Sequence, residues 1–185
     1  MKVRAGATLA RSKVEGAVAG QAKKMEREYA VVWNVSGGAK TSLAERGVAF
    51  EAPLLSGGTF DFSTALGKKP VLLAFWASWC KPCLLEAPQL VALHTKYAKK
   101  GVVVVAVSID ERDDYANLRK VVADLKLPYP VPLDSSGEVL AKYAKGASIP
   151  LTFVIDRSGA IVYKHQNFEP GDEVGIEGAL EEALE

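Results

Sequence analysis

The sequence predicts an α/β fold, because apolar runs typical of buried strands alternate with segments of helical periodicity. Residues 71–76 and 102–109 are almost continuous apolar runs, as expected of strands that are buried on both faces of a sheet. Between them, residues 80–100 place apolar side chains at helical spacing. Strands that alternate with helices indicate a layered structure around a sheet with parallel strands at its centre.

Turn residues and periodicity predict the remaining elements of residues 48–185. They are a hairpin around Ser56-Gly57-Gly58, a helical turn at 63–66, helices at 113–125 and about 136–145, a hairpin of strands 151–155 and 160–165, and a terminal helix ending at 185. Asp172 is predicted to cap the terminal helix. We expect the second hairpin to add antiparallel edge strands, which makes the central sheet mixed.

Composition and charge exclude several classes of protein. The 185 residues are 49% hydrophobic and 24% charged, which excludes a wholly disordered or fibrous chain. The net charge of +1 gives no overall attraction to nucleic acid, so we expect no nucleic-acid partner. No apolar run approaches the roughly 18–20 residues of a transmembrane helix. Two cysteines are too few for a small secreted fold built on several disulfides.

Residues 1–47 differ in composition from the rest and are expected to form a basic N-terminal extension or accessory element. They carry nine basic and four acidic side chains, a net charge of +5, whereas residues 48–185 carry a net charge of −4. A boundary near Gly47 leaves residues 48–185 as the main domain. No uninterrupted apolar run follows the basic start, as a secretory signal requires. Either the protein stays in the cytoplasm or the sequence begins after an export signal.

The two cysteines lie where a predicted buried strand gives way to a predicted helix, in Trp79-Cys80-Lys81-Pro82-Cys83. The free N–H groups and positive dipole at a helix start favour a thiolate at Cys80, and Lys81 adds a nearby cation. Pro82 suits a first helical turn, because its missing N–H has no helical partner there. Lowering a thiol pKa from about 8.5 to about 7 raises the ionised fraction at neutral pH from roughly 3% to roughly half. The pattern predicts a redox dithiol with Cys80 as nucleophile and Cys83 as resolving cysteine.

A longer string around the pair resembles the thioredoxin superfamily: Val71-Leu-Leu-Ala-Phe-Trp-Ala-Ser-Trp-Cys-Lys-Pro-Cys83, followed by Glu86. More narrowly, it resembles the extracytoplasmic thiol–disulfide oxidoreductases of the TlpA/ResA type, which are related to the AhpC/TSA redoxins. The similarity covers approximately residues 48–185. It implies a thioredoxin-like three-layer fold, with a mixed central sheet flanked by helices, an N-terminal hairpin and an inserted helix.

The resemblance also implies roles for residues around the cysteines. In the family, the proline at the position of Pro150 is cis and faces the cysteine pair, and the backbone of Ile149 then pairs with an extended substrate segment. Trp79 is expected to form an apolar docking surface next to the sulfurs, with Lys81 and Pro82 supporting the site. Trp76 is expected to belong to the core.

Glu86 is the expected proton acceptor. Many thioredoxins place a buried aspartate six residues before the first cysteine, where this chain has Ala74. TlpA/ResA-like proteins resemble this chain in carrying a glutamate one turn beyond the second cysteine. A partly desolvated Glu86 would have a raised pKa and exchange protons with Cys83. The alternative is a solvated carboxylate, and helical spacing does place Glu86 mostly off the apolar face.

The family implies thiol–disulfide exchange without a cofactor, in the direction that reduces protein disulfides in the periplasm or cell envelope, for example those of apocytochrome cysteines in cytochrome c biogenesis. The expected partners are protein disulfide or dithiol substrates and a membrane or soluble thiol that supplies electrons.

Two other functions use the same cysteines. A copper metallochaperone would bind Cu(I) through both thiolates, although His94 and His165 lie at no recognisable metal-ligand spacing. A peroxiredoxin-type peroxidase shares much of the fold, but such enzymes commonly carry threonine where this chain has Ala77. An inert structural pair is weakly motivated, because closing so small a loop stabilises a fold by only about 2 kcal/mol.

Overall fold

The computed structural model describes residues 45–185, which form six strands and four α-helices. The strands are β1 (Glu51–Pro53), β2 (Thr59–Asp61), β3 (Val71–Trp76), β4 (Val103–Ser108), β5 (Leu151–Ile155) and β6 (Ile161–Gln166). The helices are α1 (Lys81–Tyr97), α2 (Tyr115–Asp124), α3 (Glu138–Ala144) and α4 (Glu173–Leu184). The predicted extension at 1–47 lies almost wholly outside the described residues, and its boundary near Gly47 stays a prediction.

Four strands form the central sheet, in the order β4-β3-β5-β6. β3 and β4 are parallel, and β5 and β6 each run antiparallel to their neighbours, so the predicted mixed α/β sheet is confirmed. The placement of the second hairpin was wrong in one respect. β5 lies inside the sheet, between β3 and β6, and only β6 is an edge strand of that hairpin. An interior position agrees with the burial of all five β5 residues.

The predicted N-terminal hairpin is present as the two-stranded sheet of β1 and β2. It is tied to the main sheet through a segment that runs beside β4. The backbone N–H of Leu133 donates to the carbonyl of Pro53 at 2.8 Å, and the N–H of Ser108 donates to Pro132 at 2.8 Å. The hairpin therefore joins the edge of the sheet at β4, on the side opposite β6.

Alternate residues of β3 face two separate apolar layers. Leu72, Ala74 and Trp76 contribute to a cluster with buried residues of α1, α2 and α4. Val71, Leu73 and Phe75 contribute to a second cluster with buried residues of α3 and of the N-terminal hairpin. The sheet thus forms the middle of three layers, as the resemblance implied, and Trp76 belongs to the core.

Asp172 precedes α4 as predicted, but its side chain does not cap the helix. Its backbone is helical, with φ −68° and ψ −24°, rather than extended as at an ordinary N-cap. Its carboxylate instead accepts a hydrogen bond from the backbone N–H of Glu169 at 2.6 Å and lies 3.1 Å from His165 Nε2. The side chain is therefore turned toward the sheet.

Candidate active site

The cysteine pair lies at the junction of β3 and α1. Cys80 is the N-cap of α1 and forms a disulfide with Cys83, with an S–S distance of 2.05 Å and Cα atoms 5.2 Å apart. The backbone N–H of Cys83 donates a hydrogen bond to Cys80 Sγ at 3.3 Å. This N–H has no acceptor within the helix, because it lies in the first turn. Once the disulfide is reduced, it favours negative charge on the Cys80 sulfur.

The surroundings of the two sulfurs differ. Only 6% of the surface of Cys80 and 2% of the surface of Cys83 is exposed to solvent, whereas the preceding residue, Trp79, is 58% exposed. Lys81 and Pro82 are also exposed. The outer cysteine therefore borders an apolar surface that solvent reaches, and the inner cysteine lies beneath it.

Ile149–Pro150 is a cis peptide bond, as the resemblance implied. Pro150 is buried directly before β5, the strand that pairs with β3, and Leu151 lies opposite Phe75 in that pairing. Because the cysteine segment leaves β3 immediately after Trp76, the cis bond lies at the same end of the sheet as the disulfide. Strand pairing thus brings together two segments that lie far apart in the sequence.

Glu86 is buried, with 1% of its surface exposed, so its placement off the apolar face was wrong. Thr152 Oγ1 donates a hydrogen bond to Glu86 Oε1 at 2.7 Å. Thr152 lies opposite Ala74 in the β3–β5 pairing, so the polar contact stands beside the alanine that replaces the aspartate of many thioredoxins. Glu86 also follows Cys83 by three residues, which places both side chains on one face of α1.

Burial is the main reason why the pKa of Glu86 rises from 4.5 to about 7. The hydrogen bond from Thr152 opposes this rise, and the negative charge of Asp172 adds to it. A carboxyl group with such a pKa is present in both protonation states near neutral pH. It is therefore suited to accept and return a proton.

The raised pKa of Glu86 predicts how stability depends on pH. The folded protein holds this proton more tightly than the unfolded chain, so the stabilisation is complete below pH 4.5 and is lost as pH rises through about 7. For the oxidised protein, we expect Glu86 to account for a fall of about 3 kcal/mol in the free energy of unfolding between pH 4.5 and 8. Glu86→Gln should flatten this fall in urea titrations, whereas the exposed control Glu111→Gln should not. Equal curves for wild type and Glu86→Gln would contradict the buried, protonated state.

A second buried carboxylate holds the segment that leads into the cysteines. Asp110 accepts hydrogen bonds from the Ser78 backbone N–H at 2.9 Å, the Ser78 hydroxyl at 2.5 Å and the Ser108 hydroxyl at 2.7 Å. Asn117 Nδ2 donates to Ser78 Oγ at 2.8 Å. Residues of β4 and α2 thereby fix the position of the backbone two residues before Cys80.

We expect Asp110→Ala to lower the free energy of unfolding by roughly 2–5 kcal/mol, because it leaves several buried donors without an acceptor. Asp113→Ala, an exposed change in the same loop, should alter stability by no more than about 0.5 kcal/mol. Chemical denaturation of the oxidised proteins measures both values. A loss of stability no larger for Asp110→Ala than for Asp113→Ala would show that the network does not anchor the loop.

Two aromatic side chains pack near the buried side of the site. The ring of Tyr129 lies 5.8 Å from the ring of His94, which is half-buried. Burial and the negative charge of Glu86 raise the pKa of Tyr129 well above its ordinary value, so its hydroxyl stays protonated. Within residues 45–185, no group of three or more His, Cys, Asp or Glu side chains is arranged to hold a metal ion.

Sequence reasoning did not assign roles to Asp110, Thr152 or His165. A signal exists for two of them. Thr152 is the polar residue in an otherwise apolar strand, and Asp110 follows the carboxyl end of β4. His165 gives no comparable signal, because its importance depends on which strand β6 pairs with.

The fold and the site together define a class of protein. A disulfide at the start of a helix, beside a cis-proline on a mixed four-stranded sheet, is the arrangement of the thioredoxin-like thiol–disulfide oxidoreductases. The chain belongs to the AhpC/TSA family, whose family model matches residues 43–164.

Relatives agree with this class. A thiol-disulfide oxidoreductase ResA of Bacillus cereus is 32% identical over 125 residues, which cover 68% of this chain and 70% of that protein. ResA of Bacillus thuringiensis subsp. konkukian is 37% identical over 94 residues, which cover 51% and 53%. The chain thus spans 53% of the length of that curated relative, about half.

Solved structures share the fold. A Chlorobium tepidum protein, solved as a proposed thiol:disulfide interchange protein DsbE, has a TM-score of 0.69 and 30% sequence identity. The match covers 77% of this chain and 97% of that protein's chain. A secreted disulfide oxidoreductase of Mycobacterium tuberculosis, homologous to Escherichia coli DsbE, has a TM-score of 0.63 at 25% identity, over 72% and 95%.

Proposed function

We propose that the protein reduces disulfides of protein substrates in the cell envelope, with Cys80 as the attacking and Cys83 as the resolving cysteine. The observation that carries this proposal is the arrangement at the start of α1. The outer sulfur borders an exposed apolar surface and receives a helix N–H, and the inner sulfur lies on the same helix face as a buried carboxyl.

In the first step, the Cys80 thiolate attacks one sulfur of a substrate disulfide. A mixed disulfide forms between Cys80 and the substrate, and the other substrate sulfur leaves as a thiolate that takes a proton from solvent. The N–H of Cys83 and the cation of Lys81 favour the thiolate, and the lowered pKa also makes Cys80 the better leaving group in the reverse reaction.

In the second step, Cys83 resolves the mixed disulfide. The Glu86 carboxylate takes the Cys83 proton, and the Cys83 thiolate attacks Cys80 Sγ. The second substrate thiolate leaves, and the Cys80–Cys83 disulfide is formed. Two electrons have passed from the protein dithiol to the substrate, and a membrane or soluble thiol donor would have to return them before another cycle.

The surface around Cys80 suits an extended polypeptide. Trp79 and Leu85 are both exposed large apolar side chains of this region, at 58% and 59% of their surface. The cis bond before Pro150 turns the backbone of the half-buried Ile149, whose N–H and C=O would pair with a substrate strand. Apolar contact at Trp79 and backbone pairing at Ile149 together select an unfolded or flexible segment next to the substrate cysteine.

A location outside the cytoplasm is proposed on the likeness to the Mycobacterium tuberculosis protein, which is described as secreted. Protein disulfides persist in oxidising compartments, where a dedicated reductant has substrates. Among residues 45–185, no helix has the length and apolar character needed to cross a membrane.

The thiolate at Cys80 is tested by alkylation. In reduced Cys83→Ser, which isolates one thiol, iodoacetamide should react with an apparent Cys80 pKa near or below about 7.5. Adding Lys81→Gln should raise this pKa by a few tenths of a unit, because a nearby cation is lost. Lys99→Gln, which lies two residues beyond the far end of α1, should leave the pKa unchanged. A pKa of about 8.5 or higher, the value of an ordinary thiol, would remove the basis for Cys80 as nucleophile.

The order of attack is tested by trapping. With insulin as the disulfide substrate, Cys83→Ser should accumulate a mixed disulfide at Cys80, because the resolving thiol is missing. Cys80→Ser should accumulate at least about tenfold less, since the remaining Cys83 is almost fully buried. Non-reducing electrophoresis and peptide mass spectrometry measure both products. Equal trapping by the two variants would reverse or abolish the assigned roles.

A further inference from the structure

A pair of ionisable side chains, His165 and Asp172, lies outside the site described above. His165 is on β6 and is 2% exposed, and Asp172 precedes α4 with 21% of its side chain exposed. His165 Nε2 lies 3.1 Å from Asp172 Oδ2. Neither residue takes part in the steps described above.

Strand pairing connects this pair to Glu86. In the β5–β6 pairing, His165 lies directly opposite Thr152, and residues opposite each other in an antiparallel pair share one face of the sheet, with Cβ atoms about 4.5–5.5 Å apart. Thr152 in turn donates its hydroxyl hydrogen bond to Glu86. Side chains from α1, β5, β6 and the start of α4 therefore form one polar cluster in an otherwise apolar layer, and all of its members except Asp172 are buried.

We propose that His165 and Asp172 are positioning residues that set the pH at which Glu86 takes the proton of Cys83. The inference rests on the role of Glu86 in the proposed function. Asp172 supplies a negative charge behind the buried carboxyl, and His165 holds that charge in place from the strand next to Thr152.

The charge of the pair changes with the protonation of His165. With a neutral imidazole, the pair carries one negative charge, and a second negative charge on Glu86 is disfavoured. With an imidazolium, the pair is neutral and this repulsion disappears. In agreement, the charge of Asp172 raises the pKa of Glu86, although burial contributes more. The ionisation of Glu86 thus depends on the net charge of the pair.

Other ionisable groups lie around the cluster, and any influence they have on Glu86 must be distinguished from that of Asp172. Cys83 shares the α1 face of Glu86. Tyr129 lies near Glu86, and its ring also contacts His94. Tyr163 on β6 stacks with His165, with ring centroids 6.2 Å apart. In the oxidised protein, Cys83 does not titrate, and burial keeps the Tyr129 hydroxyl protonated.

Other charged side chains near the start of α4 and on β6 have contacts elsewhere. Glu173 Oε2 accepts a hydrogen bond from the Gly171 backbone N–H at 2.8 Å, and Lys164 lies over the Phe153 ring on the opposite face of the sheet. Asp172 is therefore the carboxylate from α4's start that acts on Glu86, and Glu173 offers a matched control of equal charge.

The direct test is the titration of the Glu86 carboxyl carbon by ¹³C NMR in the oxidised protein, which requires no turnover. Asp172→Asn should lower the Glu86 midpoint by about 0.5 pH unit or more, a roughly threefold change in the ionised fraction at fixed pH. Glu173→Gln should leave the midpoint unchanged. No shift in Asp172→Asn, or an equal shift in Glu173→Gln, would overturn the inference.

The consequence for catalysis is measured as the pH profile of the resolving step, the release of glutathione from its mixed disulfide with Cys80. Asp172→Asn should move the profile to lower pH by the same amount as the Glu86 midpoint, with Glu173→Gln as control. If Glu86→Gln alters the profile but Asp172→Asn does not, only this inference is wrong. If Glu86→Gln leaves the profile unchanged, the role of Glu86 in the proposed function is wrong and the inference falls with it.

Discussion

The buried hydrogen bond from Thr152 to Glu86 joins the two elements from which the site is built. Glu86 belongs to α1, which carries the cysteines, and Thr152 belongs to β5, which begins directly after the cis-proline. Burying a carboxyl group without a hydrogen-bond partner costs free energy, and the Thr152 hydroxyl offsets part of this cost. The low-dielectric surroundings still raise the pKa of Glu86. The same contact thus fixes the geometry of the site and holds in place the carboxyl that we propose as its proton acceptor.

A second polar network fixes the other side of the cysteines. Asp110, Ser78 and Asn117 tie the loop before Cys80 to the end of β4 and to α2. These two anchors hold the first turn of α1 from both sides. Trp79 remains exposed above them, as the proposed docking of a polypeptide substrate requires.

The chain departs from many thioredoxins in where its buried acid comes from. Ala74 occupies the strand position of the usual aspartate, and the carboxyl is supplied from the helix at Glu86 instead. The substitution keeps a buried carboxyl on the helix face of the inner cysteine but changes its polar neighbours. In this chain, Glu86 accepts a hydrogen bond from Thr152, which lies opposite His165 in the β5–β6 pairing, and the charge of Asp172 adds to the raised pKa of Glu86.

The sequence by itself determined the main elements and the place of the cysteine pair at a helix start, because both are local. Residues 71–76 form β3 with the predicted bounds, and Cys80 begins α1 because strand, N-cap and proline follow one another within a few positions. Only the tertiary structure decided that Glu86 is buried, that β5 lies inside the sheet, and that Asp172 faces His165 rather than capping α4. These outcomes depend on contacts such as Glu86 with Thr152, 66 residues apart, whose partners are chosen by strand order and helix packing. Helical periodicity shows which side chains share a face of α1. Which of those faces is buried depends on how the sheet and α4 pack against the helix.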